Sequence, residues 1–110
     1  MTRSQGVTVA WTGGSPGNLV EITGTGPAFT SNVQPLSEAS FTCVAHVEDG
    51  QFTVPPAVLE SLPPNASQLF GIATGKLGVA ALTIEKFGGS NLDLGLFIRI
   101  SANDAQVIYQ

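Results

Sequence analysis

The sequence predicts an all-β chain: an antiparallel β-sandwich of seven to nine strands with one short helical turn near residues 56–62. Three observations predict it. Apolar residues recur at alternate positions in several separate runs, the period of half-buried strands. Turn-forming residues separate those runs at intervals of roughly 8–12 residues, with 13 Gly and 7 Pro among the 110 residues as punctuation. Helical periodicity is absent over any ten-residue stretch. A chain of 110 residues reads as a single domain, 1–110, able to bury a core without metal or disulfide staples.

The elements follow in order. Val7, Val9 and Trp11 alternate with Thr8, Ala10 and Thr12, and Gly13 to Asn18 forms a dense turn. A second strand reads from Leu19 to Thr23, closed by Gly24-Thr25-Gly26-Pro27. Residues 28–39 have weak periodicity and hold one edge strand around Phe29 or Val33, because Pro35 disfavours a central position. Phe41, Cys43, Ala45 and Val47 then share one face, and Asp49-Gly50 before Phe52 and Val54 is a hairpin signal. Pro55 to Pro64 brackets Val58, Leu59 and Leu62, which predicts a helical turn plugging one end of the core. Short strands are expected at Gln68–Ala73, Leu77–Ile84 and from Leu94 to Ile100. A turn at Ala102-Asn103-Asp104-Ala105 then leads into a last strand, Gln106–Tyr109.

Composition narrows the function. Charged residues are 11% of the chain, against about 25% in typical soluble domains, and mean hydropathy is +0.26. Small polar residues therefore form much of the surface, as in secreted and cell-surface β domains. Net charge is −4, and the four cations Arg3, Lys76, Lys86 and Arg99 are scattered. That leaves no basic stripe for nucleic acid and none for an anionic membrane. No apolar run is long enough for membrane insertion. The first residues carry no signal-peptide core, so either the protein stays inside or it is a module of a longer exported chain; the expected setting is the second, extracellular or at the cell surface. One cysteine, Cys43, allows no internal disulfide.

Val9 to Asn18, Val20-Glu21-Ile22-Thr23-Gly24, Ala39 to Ala45, Gln51 to Pro55, Val58-Leu59, Leu62-Pro63 and Leu92 to Gly95 together carry a resemblance. They resemble the immunoglobulin-like or fibronectin-III-like domains of unknown function in large exported proteins of soil bacteria. The resemblance covers most of residues 7–97 and implies an immunoglobulin-like sandwich with no catalytic residue. In those domains earlier strands precede the Trp strand, whereas only six residues precede Val7 here. The sandwich is therefore expected either to recruit its missing edge from a neighbour or to be closed by its own C-terminal strands.

Each candidate chemical group has a plainer reading beside it. Gly13 to Gly17 matches the G-x-S-x-G elbow around Ser15, but a strand rather than a helix is expected after it, so it reads as a turn. His46 with Glu48 and Asp49 lacks a converging cage and reads as a surface hairpin residue. Cys43 lies on the apolar phase without a basic neighbour and reads as core. Adjacent carboxylates at Glu48 and Asp49 point to opposite faces, unsuited to flanking a glycosidic bond. Asn91, Asp93, Asn103 and Asp104 offer oxygens for Ca²⁺, yet read more simply as turn formers. Asn65-Ala66-Ser67 matches an N-glycosylation acceptor.

Carbohydrate binding needs exposed rings; Trp11 and Phe52 fall on core phases, leaving Phe97 and Tyr109 as binding candidates. The expectation is a protein that is not an enzyme, with no catalytic residue, cofactor or metal. It acts as a structural or interaction module with a protein partner or with itself through an open sheet edge. A carbohydrate-binding module is the alternative.

Overall fold

The computed structural model describes residues 1–29, 35–64 and 75–110. It is built of β-strands in two antiparallel sheets, as the sequence predicts, with six strands among the described residues. β1 (Val7–Ala10) pairs with β4 (Gln51–Val54) in a small sheet. The large sheet has the order β3-β2-β5-β6, from β2 (Leu19–Phe29), β3 (Pro35–His46), β5 (Gly75–Phe87) and β6 (Gly95–Val107). The helical turn expected near 56–62 is α1 (Pro56–Glu60). Leu59 and Leu62 point from it into the core with 0% and 1% exposure.

The strand period places the core. Val20 and Ile22 of β2, Phe41 and Cys43 of β3 and Leu77 and Val79 of β5 share the inner face, packed with Val54, Leu59, Leu62 and Tyr109. The chain ends also meet there. The Met1 ammonium donates to the Ile108 carbonyl at 3.0 Å, Arg3 N–H to Gln110 at 3.0 Å, and Gln110 N–H to Met1 at 2.9 Å. Arg3 then reaches the far end of α1, donating to the Leu62 carbonyl at 2.8 Å and so meeting the orphan acceptors of a helix terminus.

Four expectations are corrected. Gly24 to Pro27 does not close β2. Gly24 and Gly26 lie on its inner face, where a Cβ would run into the Phe41 ring and come within 3.3 Å of Leu62 Cβ. The glycines give up space to larger core side chains, and the strand continues. β5 pairs with β2 only as far as Thr25, so among the described residues Pro27 has no ladder partner on that side, where its missing N–H is tolerated.

Asp49-Gly50 is not a hairpin, since β3 and β4 belong to different sheets. Val47–Asp49 forms a 3₁₀ turn that buries Val47, and Gly50 in the left-handed region (φ 70°, ψ −16°) redirects the chain across to the small sheet. Residues 102–105 do not turn either. They stay in one-to-one register with Ala80 to Leu77, so β6 is a single strand of 13 residues. Tyr109 is not an exposed ring but is fully buried, 0% exposed, with its hydroxyl donating to the Lys76 carbonyl at 2.5 Å.

Other expectations fare differently. Pro35 opens β3, an edge strand, and the first residue of a strand is a place where a missing N–H is tolerated. The strand expected at 68–73, any strand at Val33 and the Asn65-Ala66-Ser67 acceptor lie outside the described residues.

The molecule is long: 56 × 31 × 23 Å, with a radius of gyration of 17.0 Å, against about 13 Å for a compact domain of this size. Register supplies one reason. β2 pairs with β5 only up to Leu19–Leu82, while β5 and β6 stay paired out to Phe87–Gly95. Beyond Thr83, whose hydroxyl accepts from the Asn18 amide at 3.3 Å, Ile84–Phe87 and Gly95–Ile98 therefore project as a two-stranded arm that pairs with no further strand among the described residues.

Tyr109 is the only tyrosine, so its phenolate absorbance reports the core directly. Burial pushes its pKa up to about 12. Stability from the neutral phenol is therefore complete below pH 10 and is lost as pH rises toward 12. Titration at 295 nm should give a midpoint near 12 when folded and near the ordinary value of about 10 in denaturant. Tyr109→Phe should cost about 1 kcal/mol in urea unfolding through the lost hydrogen bond, and Tyr109→Ala about 3–5 kcal/mol.

Candidate interaction edges

The groups that sequence motifs nominate for chemistry are placed apart or occupied structurally. Ser15 is exposed in the β1–β2 turn, where its carbonyl accepts the Asn18 N–H at 3.1 Å; β2 follows, not a helix. His46 is exposed and caps the 3₁₀ turn: its N–H donates to Asp49 Oδ2 at 3.2 Å, and its ring accepts the Asp49 N–H. Glu48 accepts the Gly17 N–H at 3.3 Å, tying that corner to the β1–β2 turn. Cys43 is half-buried against the core, and burial raises its thiol pKa.

Asn91 and Asp93 sit in the loop at the arm's tip, whereas Asn103 and Asp104 lie well down β6. At about 3.3 Å per residue, Asp93 and Asn103 are on the order of 30 Å apart. Asn103 and Asp104 also face opposite sides of the sheet. No group of three or more His, Cys, Asp or Glu able to hold a metal occurs among the described residues. Of the two rings nominated for ligand stacking, Phe97 is 54% exposed on the arm and Tyr109 is in the core.

Among the described residues the two sheets have four edges, β1, β4, β3 and β6; that of β1 borders a groove and that of β6 an apolar surface. On the small sheet, the Trp11 N–H donates to the Gly50 carbonyl at 3.0 Å, extending the β1–β4 register. Antiparallel alternation then turns the backbone groups of Val7 and Val9 toward β4, and those of Thr8 and Ala10 away from it. Beside that outward edge lies a groove of about 550 Å³. Ala10 and Trp11 form one wall; Val79, Ala81, Ser101 and Ala105 of β5 and β6 lie along the floor. The groove exists because two strands cannot cover the inner face of four.

The edge with the apolar surface is β6, which among the described residues pairs only with β5. The Val47 N–H bond to Asn18 (3.0 Å) extends the β2–β3 register. The same alternation carried across β2, β5 and β6 leaves the backbone groups of Leu96, Ile98 and Ile100 aimed outward. Around this edge the surface is apolar. Ile84, Phe87, Leu92, Leu94, Leu96, Phe97, Ile98 and Ile100 are each 45–64% exposed.

Strand phase alone already separates the arm from the core strands. Inner-phase positions on β6 are Phe97, Arg99, Ser101, Asn103 and Ala105, a face with no aliphatic stripe. That mixed face is the sequence signal of a strand without a covering layer. The groove has no such signal, because it depends on which strands share a sheet.

Compared with protein-family models, curated proteins and solved structures, the chain matches none of them.

Half-burial of Cys43 and its raised thiol pKa predict slow alkylation. At pH 8 in native buffer, labelling should lag well behind a model thiol and reach the model rate once the chain is unfolded in urea.

Proposed function

We propose that the chain is a non-catalytic interaction module that self-associates through an open sheet edge, serving in an extracellular or cell-surface bacterial protein. The single observation that carries this reading is the Gly95–Ser101 edge of β6, which among the described residues has no strand beyond it and is flanked by the exposed apolar side chains of the arm. An unprotected edge strand is a template for pairing with another chain. Natural sheets that remain monomeric blunt such edges with lysines, prolines or bulges. β6 contains no lysine or proline, its register with β5 is unbroken, and Arg99 on the inner phase is its one basic residue.

The strand order supports an immunoglobulin-like or fibronectin-III-like architecture. Read as C′-C-F-G facing B-E, the order β3-β2-β5-β6 facing β1-β4 is that of the second to last strands of such a sandwich. The groove lies beside β1, the edge at which a first strand pairs in that architecture. The low charge fraction of 11% fits an exported β domain, and carbohydrate binding would rest on the exposed rings of Phe97 and Phe87.

Sedimentation velocity from micromolar to near-millimolar chain tests the reading. The weight-average mass should rise with concentration; a monomer at every concentration contradicts it.

A further inference from the structure

We propose that the partner at the β6 edge is a second copy of this chain, joined in an antiparallel β6–β6′ pairing whose two-fold axis passes through Ile98. The proposal rests on the self-association reading above and adds which edge, which register and which residues meet.

Symmetry restricts the choices. Two copies pairing edge to edge with their strands antiparallel are related by a two-fold axis perpendicular to the sheet, so each residue meets one on the same face. Centring on Arg99 sets that charge against itself, which is destabilising. Moving the centre to Ile100 puts Leu96 opposite Asp104′. A centre at Phe97 leaves only Gly95–Arg99 of the strand in register. Centring on Ile98 pairs Gly95–Ser101 with Ser101′–Gly95′ and avoids each of these faults.

In that register the outward-aimed backbone groups of Leu96, Ile98 and Ile100 meet one another, so Leu96–Ile100′, Ile98–Ile98′ and Ile100–Leu96′ are all hydrogen-bonded pairs. Their side chains lie on the outer face, where Ile98 and Ile100 already sit beside Ile84 and Leu82 of β5. Pairing joins the two patches into one continuous apolar stripe. On the inner face, Phe97 comes opposite Arg99′ twice, within reach of cation–π contact.

Self-complementarity favours a second copy as the occupant: in this register apolar side chains meet apolar ones on the outer face, and Phe97 meets Arg99′ on the inner face. Leu96, Phe97, Ile98 and Ile100, 45–64% exposed along the seam, present on the order of 400 Å² per copy, the size of the largest patch on a typical monomer. Covering them in both copies makes a small interface, on the order of 800 Å² in total, of the kind that forms at high concentration. The strand also carries one positive and one negative charge between Gly95 and Val107, Arg99 and Asp104. No net charge therefore opposes self-pairing.

The test combines two variants with the native chain. Ile98→Lys places two ammonium groups at the two-fold axis. Residue 98 is 52% exposed, so the monomer fold should persist by circular dichroism. The dimer dissociation constant should rise at least about tenfold by sedimentation velocity. Ile98→Cys in a Cys43→Ala background should form a disulfide-linked dimer under mild oxidation, because hydrogen-bonded antiparallel partners lie about 5.5 Å apart at Cα. Ile84→Cys in the same background, one strand in from the edge, should not. Association unchanged by Ile98→Lys, or cross-linking equal at positions 84 and 98, overturns the proposal. Association lost instead on Ala10→Pro, which removes an outward donor from β1, also overturns it while the self-association reading stands. A native chain that never associates removes both.

Discussion

The structure depends on a mismatch of coverage. A four-stranded sheet needs its inner face buried, and among the described residues two short strands, β1 and β4, are laid across it. The chain makes up part of the deficit with pieces that are not strands. Leu59 and Leu62 enter from the helical turn, and Tyr109 enters from the C-terminal end, all essentially without exposure. The hydrogen bonds between residues 1–3 and 108–110 hold that end in place. These plugs serve the part of the sheet around β2. Over β5 and β6 nothing equivalent is seen among the described residues, and the groove and the projecting arm are two expressions of the same shortage.

Much of this architecture was legible from residue types. Alternation at Val7–Trp11 and Phe41–Val47 marked strands with a buried face, because burial acts on one side of a pleat. The proline-bracketed Val58-Leu59-Leu62 pattern marked a helical plug, since only that spacing gathers its apolar residues on one side. Pro35 marked an edge. The misread positions share a cause, which is that turn chemistry is local while its use is not. Asp49-Gly50 carries a left-handed residue either way, and whether it makes a hairpin or a crossing between layers depends on where β4 finds its partner. Asn103 and Asp104 prefer turns in isolation, yet a 13-residue ladder to β5 holds them extended. Gly24 and Gly26 look like punctuation, but they make room for Phe41 and Leu62.

Candidate sites were less legible than the fold. Tyr109 and Phe97 are both aromatic residues near the C-terminal end, and composition does not separate them. One closes the core and the other stands on the arm, because Tyr109 lies beyond the end of β6 where the chain returns to meet Met1. The open edges carry no motif of their own. Strand order decides where they fall. Residues with familiar chemical roles, His46 and Glu48 above all, instead tie the corner between layers.

The central claim is that the large sheet is left incomplete at β6 and that another copy completes it. Amide hydrogen exchange resolved along β6, compared between dilute and concentrated chain, tests this most directly. The account predicts that the amides of Leu96, Ile98 and Ile100 exchange rapidly when dilute and become protected when concentrated, while β2 amides stay protected in both. Protection of those three amides at every dilution would contradict it, as would rapid exchange that concentration leaves unchanged.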